Sequence, residues 1–177
     1  MTPRAGNAHR ERSKALDIDA RDAVRIMALH PEHAPACEAI GRNLPAWFSI
    51  EDGWKAMREA AAKGPGLVAL DGDRVIGFLT LERHFPEAWE ISWMAVDPAW
   101  RRRGIGRQLV DEAIARARLA GVAVLQVKTL ADAHPSPEYA QTREFYRAMG
   151  FLRLEVFPDL WDPANPALLM IRPIAGP

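Results

Sequence analysis

From Val96 to Leu109 the chain reads Val-Asp-Pro-Ala-Trp-Arg-Arg-Arg-Gly-Ile-Gly-Arg-Gln-Leu, which sets two glycines and four arginines within the seven residues from Arg101 to Arg107. A helix N-terminus leaves its first amides without internal partners and carries partial positive charge. Glycines there let an anion approach the backbone, and arginines add fixed charge. The segment reads as a site for a phosphate group. On spacing alone, a solvated basic loop with glycines for tight packing fits as well. It is not a triphosphatase loop, because no G-x-x-x-x-G-K-[ST] is present, nor a G-x-G-x-x-G loop, because Leu109 stands where the third glycine would be. A second feature is Glu90, a carboxylate within the otherwise apolar run from Trp89 to Val96. A carboxylate in such a strand is costly to bury unless paired or hydrated. Desolvation would raise its pKa toward a range useful for proton transfer. Period-2 alternation sets Glu90, Ser92, Met94 and Val96 on one face unless a bulge intervenes. The plain alternative leaves Glu90 at an exposed strand start. Glu82 and His84, at the end of the preceding strand, are the alternative base or relay groups.

The elements that must position these residues follow from periodicity and turn chemistry. Val24 to Leu29 reads as a strand and Pro31 to Arg42 as a helix, broken at Asn43-Leu44-Pro45. Ser49-x-x-Asp52 resembles a capping box and starts a second helix that stops at Lys63-Gly64-Pro65-Gly66. Leu67–Leu70 and Val75–Leu81 flank Asp71-Gly72-Asp73-Arg74 as a hairpin. Trp89 to Val96 is apolar on both faces and so reads as a central strand. Gly104 to Gly121 is a helix with Ile105, Leu109, Val110, Ala113, Ile114 and Ala117 along one stripe. A β-branched strand from Val122 to Thr129, a helix from Tyr139 to Met149 and strands at Phe151–Phe157 and Leu168–Ile171 complete the order β-α-α-β-β-β-α-β-α-β-β. Consecutive strands in the middle argue for a mixed α/β fold, a mostly antiparallel sheet of 6–7 strands with helices on its faces.

Composition narrows the function. The 177 residues carry 23 Lys+Arg and 23 Asp+Glu, so bulk charge would not hold the chain on nucleic acid or on an anionic membrane. No apolar run reaches the ~20 residues of a membrane span. One cysteine, Cys37, excludes an internal disulfide and argues against a cysteine zinc site, and no metal is expected. Residues 1–20 read as a basic, mobile tail and 21–177 as a single cytoplasmic domain.

Two blocks carry a family resemblance. Arg101-x-x-Gly104-x-Gly106, between Val96-Asp97-Pro98 and an amphipathic helix, resembles the acetyl-CoA pyrophosphate loop of the GNAT family of N-acetyltransferases. One helix and one strand later, Phe145-Tyr146-Arg147-Ala148-Met149-Gly150-Phe151 resembles the family's F-Y-x-x-x-G-F segment. The resemblance implies the GNAT fold, acetyl-CoA as cosubstrate and direct acetyl transfer to a primary amine of a small molecule or peptide. It implies that the amides of Arg101, Arg102, Arg103, Gly104, Ile105, Gly106 and Arg107 bind the pyrophosphate. It also implies that Met94, Ala95 and Val96 offer unpaired backbone groups to the pantetheine arm, with an N–H of Met94 or its neighbour polarising the thioester carbonyl. Glu90 then becomes the candidate base, and Tyr146 the candidate acid that protonates the leaving thiolate, against the alternative of a core aromatic beside Phe145. Many members have Asn seven residues before this tyrosine and Ala four before it; here Tyr139 and Thr142 stand there, so the Asn contact is not carried over. Trp47, Phe48, Trp54, His134, Tyr139 and Trp161 could form aromatic walls for an amine. A sensor or partner module that binds acyl-CoA without turnover is the alternative function. Many relatives dimerise, which leaves a homodimer open.

Overall fold

The computed structural model describes residues 24–174; the expected tail, 1–20, lies outside them. The elements are β1 (Arg25–Ala28), α1 (Ala34–Arg42), α2 (Glu51–Lys63), β2 (Gly66–Asp71), β3 (Arg74–Phe85), β4 (Ala88–Val96), α3 (Ile105–Leu119), β5 (Val124–Leu130), α4 (Pro137–Ala148), β6 (Leu152–Asp162) and β7 (Asn165–Pro173). The strands form one sheet in the order β1-β2-β3-β4-β5-β7-β6. Every pairing is antiparallel except β4 with β5, which run parallel. This is the mostly antiparallel, helix-flanked sheet expected from the element order. The parallel pair requires a crossover, and α3 is that crossover.

The apolar stripe of α3, with Tyr146 and Met149 from the α4 region, packs on one face of the sheet against Leu79, Leu81, Trp89, Ile91, Leu125 and Val127. The other face is covered by α1 and α2, through Cys37, Ile40, Met57 and Ala61 against Val68, Leu70, Phe78 and Ala95. Helix termini depart from expectation in two places. Ser49 does not cap α2: the cap position is Ile50, without a side-chain bond, and the first turn is instead held by Glu51, which accepts two hydrogen bonds from Arg42 at 2.9 and 3.2 Å. Helix α4 begins at Pro137, two residues before the expected Tyr139, because Ser136 caps it by accepting from the Tyr139 amide.

The decisive irregularity is in β4. Thr80 of β3 pairs with Trp93 and Leu81 pairs with Ile91, so Ser92 is an extra residue. Thr80 Oγ1 fills the gap, 2.9 Å from Ser92 Oγ and accepting from the Trp93 amide at 3.1 Å. A bulge of this kind re-aims every later side chain. Trp89 and Ile91 face α3, and beyond the bulge Met94 and Val96 also face α3, while Trp93 and Ala95 turn to α1 and α2. The expected grouping of Glu90, Ser92, Met94 and Val96 on one face is therefore overturned. Glu90 points away from the α3 side.

Candidate active site

Strand β4 leaves β5 partway along. Their pairing runs from Ala88–Val124 to Ile91–Val127 and ends there. Beyond that rung Met94, Ala95 and Val96 pair only with β3, and Lys128, Thr129 and Leu130 only with β7. The result is a wedge-shaped cleft between two parallel strands, one edge of each lined by backbone groups without a strand partner. The Met94–Val96 segment lies along this opening.

The β4–α3 connection forms the far end of the cleft. Asp97 caps the short turn Pro98–Trp100 by accepting from the Ala99 amide at 2.9 Å and also accepts from Arg74 at 2.7 Å. Arg102 and Gly104 then adopt left-handed backbone, with φ of 65° and 81°. Gly104 is the N-cap of α3 and has no side chain to cap it, so the amides of the first turn stay available. A Cβ on Gly106 would stand 3.5 Å from the ring of Phe145, in van der Waals contact, so the start of α3 packs closely on α4 at this glycine. Among the described residues no acidic side chain pairs with Arg101, Arg102, Arg103 or Arg107. Arg101 and Arg103 instead lie over the rings of Trp47 and Trp100, at 4.3 and 4.8 Å. Unneutralised cations beside an uncapped helix N-terminus make a strong attractor for an anion.

Glu90 stands at the last rungs before the strands part, paired with Gln126 across the parallel ladder. It is buried, and one oxygen, Oε2, takes three donors: His84 Nε2 at 2.8 Å, Gln126 Nε2 at 2.7 Å and Lys128 Nζ. No described residue donates to Oε1. His84 Nδ1 lies 3.8 Å from Glu82 Oε1, so the ring links the buried carboxylate to an exposed one. Burial pushes the Glu90 carboxyl up, but hydrogen bonds from Lys128, His84 and Gln126 outweigh it and hold the carboxyl below its usual range. The expected upward shift is thus reversed, because the residues opposite in β5 are a cation and an amide. Neither Gln126 nor Lys128 was singled out from the sequence, although their alternation within the β5 run marks them as facing one side.

Tyr146 lies on the opposite side of the sheet. It is buried, its hydroxyl is 4.0 Å from Met94 Sδ, and Phe145 and Phe151 stack edge-on against it, each with ring centres 5.2 Å away. Burial pushes the phenol well above its ordinary value. The structure therefore separates the two expected proton-transfer groups by the sheet: Glu90 on the α1–α2 face, Tyr146 on the α3–α4 face, both at the cleft.

The aromatic wall is differently used than expected. Arg42, Arg83, Arg101 and Arg103 cover the rings of Trp54, Trp89, Trp47 and Trp100. Trp47, in the α1–α2 connection, donates from its indole to Thr142 Oγ1 at 3.1 Å, and its carbonyl accepts from the Tyr139 hydroxyl at 2.8 Å. The two α4 positions that depart from the family pattern thus hold this connection. Cys37 is fully buried in α1, and desolvation pushes its thiol up to about 12, so it is an unreactive packing residue.

A sheet opened between two parallel strands, with a glycine-tipped basic helix start at the opening, defines an acyltransferase class of architecture. Comparison with known proteins agrees. The model of the Acetyltransferase (GNAT) domain matches residues 62–153, just over half of the chain. N-alpha-acetyltransferase RimI of Mycobacterium tuberculosis is 33% identical over 140 residues, covering 75% of this chain and 81% of that protein. Among solved structures, the ribosomal-protein-S18-alanine N-acetyltransferase of Escherichia coli superposes with a TM-score of 0.71 at 20% identity, covering 88% of this chain and 96% of that one. An aminoglycoside 6'-N-acetyltransferase complexed with coenzyme A gives 0.65 at 16% identity, covering 86% and 98%. The chain belongs to the GNAT acetyltransferases.

Proposed function

We propose that the protein transfers the acetyl group of acetyl-CoA to the α-amine of a protein or peptide N-terminus. The observation that carries this reading is the parting of β4 from β5 after the Ile91–Val127 rung, with the uncapped start of α3 at its end. The uncapped start of α3 and its arginines, which no acidic side chain pairs among the described residues, suit a pyrophosphate, and the free edge of Met94, Ala95 and Val96 suits an extended amide-bearing arm that adds like a strand. Bound there, acetyl-CoA supplies an acetyl thioester activated toward amines. An N–H at Met94 or its neighbour polarises the carbonyl. Tyr146, kept protonated by burial, donates to the leaving sulfur. Glu90 attracts the acceptor at its open oxygen, and His84 leads the released proton toward solvent.

The choice of an α-amine rests on two supports. The M. tuberculosis relative bears the name of an N-alpha-acetyltransferase. Glu90, held below the usual carboxylate range, is a weak base. At pH 7.5 roughly a third of α-amines are neutral, against roughly one in a thousand lysine side chains. A site with a weak base suits the former. We place the enzyme in the cytoplasm, as a single domain; among the described residues no helix is long and apolar enough to cross a membrane. The test offers acetyl-CoA and a peptide with one free N-terminus and one internal lysine, follows thiol release and maps the product by mass spectrometry. Acetylation at the N-terminus is expected. Acetylation at lysine alone would overturn the acceptor assignment, and no thiol release over a broad panel of amines would overturn the transferase reading.

A further inference from the structure

Thr129 is 3% exposed, and its hydroxyl is, among the described residues, a buried side-chain oxygen with no hydrogen-bond partner. An uncompensated buried hydroxyl destabilises a folded chain, and such atoms are uncommon. Its place in the fold suggests why it is kept. Strand β5 pairs with β7 without a register shift from Val124 to Leu130. Thr129 therefore shares a side with Leu125 and Val127, which pack in the core with Tyr146. The last rung to β4 is at Val127, so Thr129 stands one same-face position beyond it, on the open edge of β5. On β4 the next residue beyond Ile91 on this face, past the bulge, is Met94, whose sulfur meets the Tyr146 hydroxyl. Thr129 and Met94 are thus facing positions on the two walls of the cleft, on the side of the candidate acid.

We propose that Thr129 is a cofactor-binding residue: its hydroxyl donates a hydrogen bond to an acceptor atom at the thioester end of the pantetheine arm. The inference rests on the acetyl-CoA reading above and adds a contact from β5 to those of β4 and the α3 loop. A donor buried there is unsatisfied in the free protein and satisfied when the arm lies between the strands.

The test is Thr129→Val, which keeps the shape and removes the hydroxyl, with Thr129→Ser as the control that keeps it. Thermal unfolding of the free proteins and calorimetric titration with acetyl-CoA are measured on the full chain. Thr129→Val is expected to melt roughly 2–4 °C higher than wild type, because an orphan group is gone. Its Kd for acetyl-CoA is expected to rise roughly three- to tenfold, while Thr129→Ser binds as wild type. Opposite signs in the two measurements would not come from a packing role. Unchanged acetyl-CoA binding in Thr129→Val, a lower melting temperature, or a Thr129→Ser protein as weak as Thr129→Val would each overturn the proposal. A wild-type protein that binds no acetyl-CoA would instead overturn the cofactor reading beneath it.

Discussion

Three donors meet on one oxygen of Glu90 and, among the described residues, none on the other, and this asymmetry decides how the residue behaves. Glu90→Gln keeps the shape and removes the charge that attracts the acceptor; kcat/KM for the amine is expected to fall about 10-fold or more in a steady-state assay of acetyl transfer, the scale of a lost hydrogen bond to a charged group. Lys128→Met should act differently. Without the cation, burial is opposed only by the His84 and Gln126 hydrogen bonds and the carboxyl titrates higher than in wild type, so the acid limb of the pH profile of kcat/KM moves up. A limb that stays in place would show that Glu90 is not the group titrating. Stability carries the same sign. A carboxyl depressed in the folded protein stabilises it above the unfolded value, near ~4.3, and that contribution is lost as pH falls through the lower folded value. Wild type should lose stability over this acid window more steeply than Glu90→Gln in denaturant titrations. Glu90 itself was legible as a carboxylate in an apolar strand. The direction of its shift was not, because Gln126 and Lys128 meet it through a parallel pairing 36 and 38 residues away in sequence, and local patterns do not specify such a register.

At the scale of elements, the start of α3 is where a glycine pair fixes both shape and access. Gly104 sits at φ of 81°, where a side chain is strained, and Gly106 packs on the Phe145 ring, which a Cβ would already touch. The two positions should therefore separate. Gly104→Ala is expected to lower stability by about 1 kcal/mol, seen as a shift in denaturant midpoint with unchanged slope. Gly106→Leu is expected to abolish acetyl-CoA binding in calorimetry, because beyond its Cβ the side chain must displace the Phe145 ring or crowd the helix start where an anion would lie. Normal binding by Gly106→Leu would mean the phosphate lies elsewhere. Helix and strand order was readable here because each element has a clean period: the stripe from Ile105 to Ala117 and the alternation of β5 are unambiguous. The bulge at Ser92 was not readable. It inserts one residue into β4 and reverses the alternation on which the facing of Glu90 relative to Met94 depends, and only the partner Thr80 discloses it.

Over the whole molecule, the sheet separates two helix pairs, and the cleft is the one place where both layers meet a common opening. The α1–α2 connection reaches the other layer there. Trp47 ties it to α4 through Thr142 and Tyr139, and its ring lies under Arg101 of the α3 loop. Phe48 beside it packs on Trp93 at the bulge, with ring centres 6.0 Å apart. A single residue thus joins the α1–α2 layer to α4 and to the α3 loop. Trp47→Phe retains a ring for Arg101 and loses the bond to Thr142; Trp47→Ala loses both. A lost hydrogen bond contributes about 1 kcal/mol, so Trp47→Phe should melt roughly 2–4 °C below wild type, and Trp47→Ala lower still. If the connection positions the acceptor, both variants should raise KM for the acceptor amine more than KM for acetyl-CoA, in the order Ala above Phe. Equal effects on the two constants would reduce Trp47 to a stabilising contact, whereas a rise confined to acetyl-CoA would assign it to the phosphate end through Arg101.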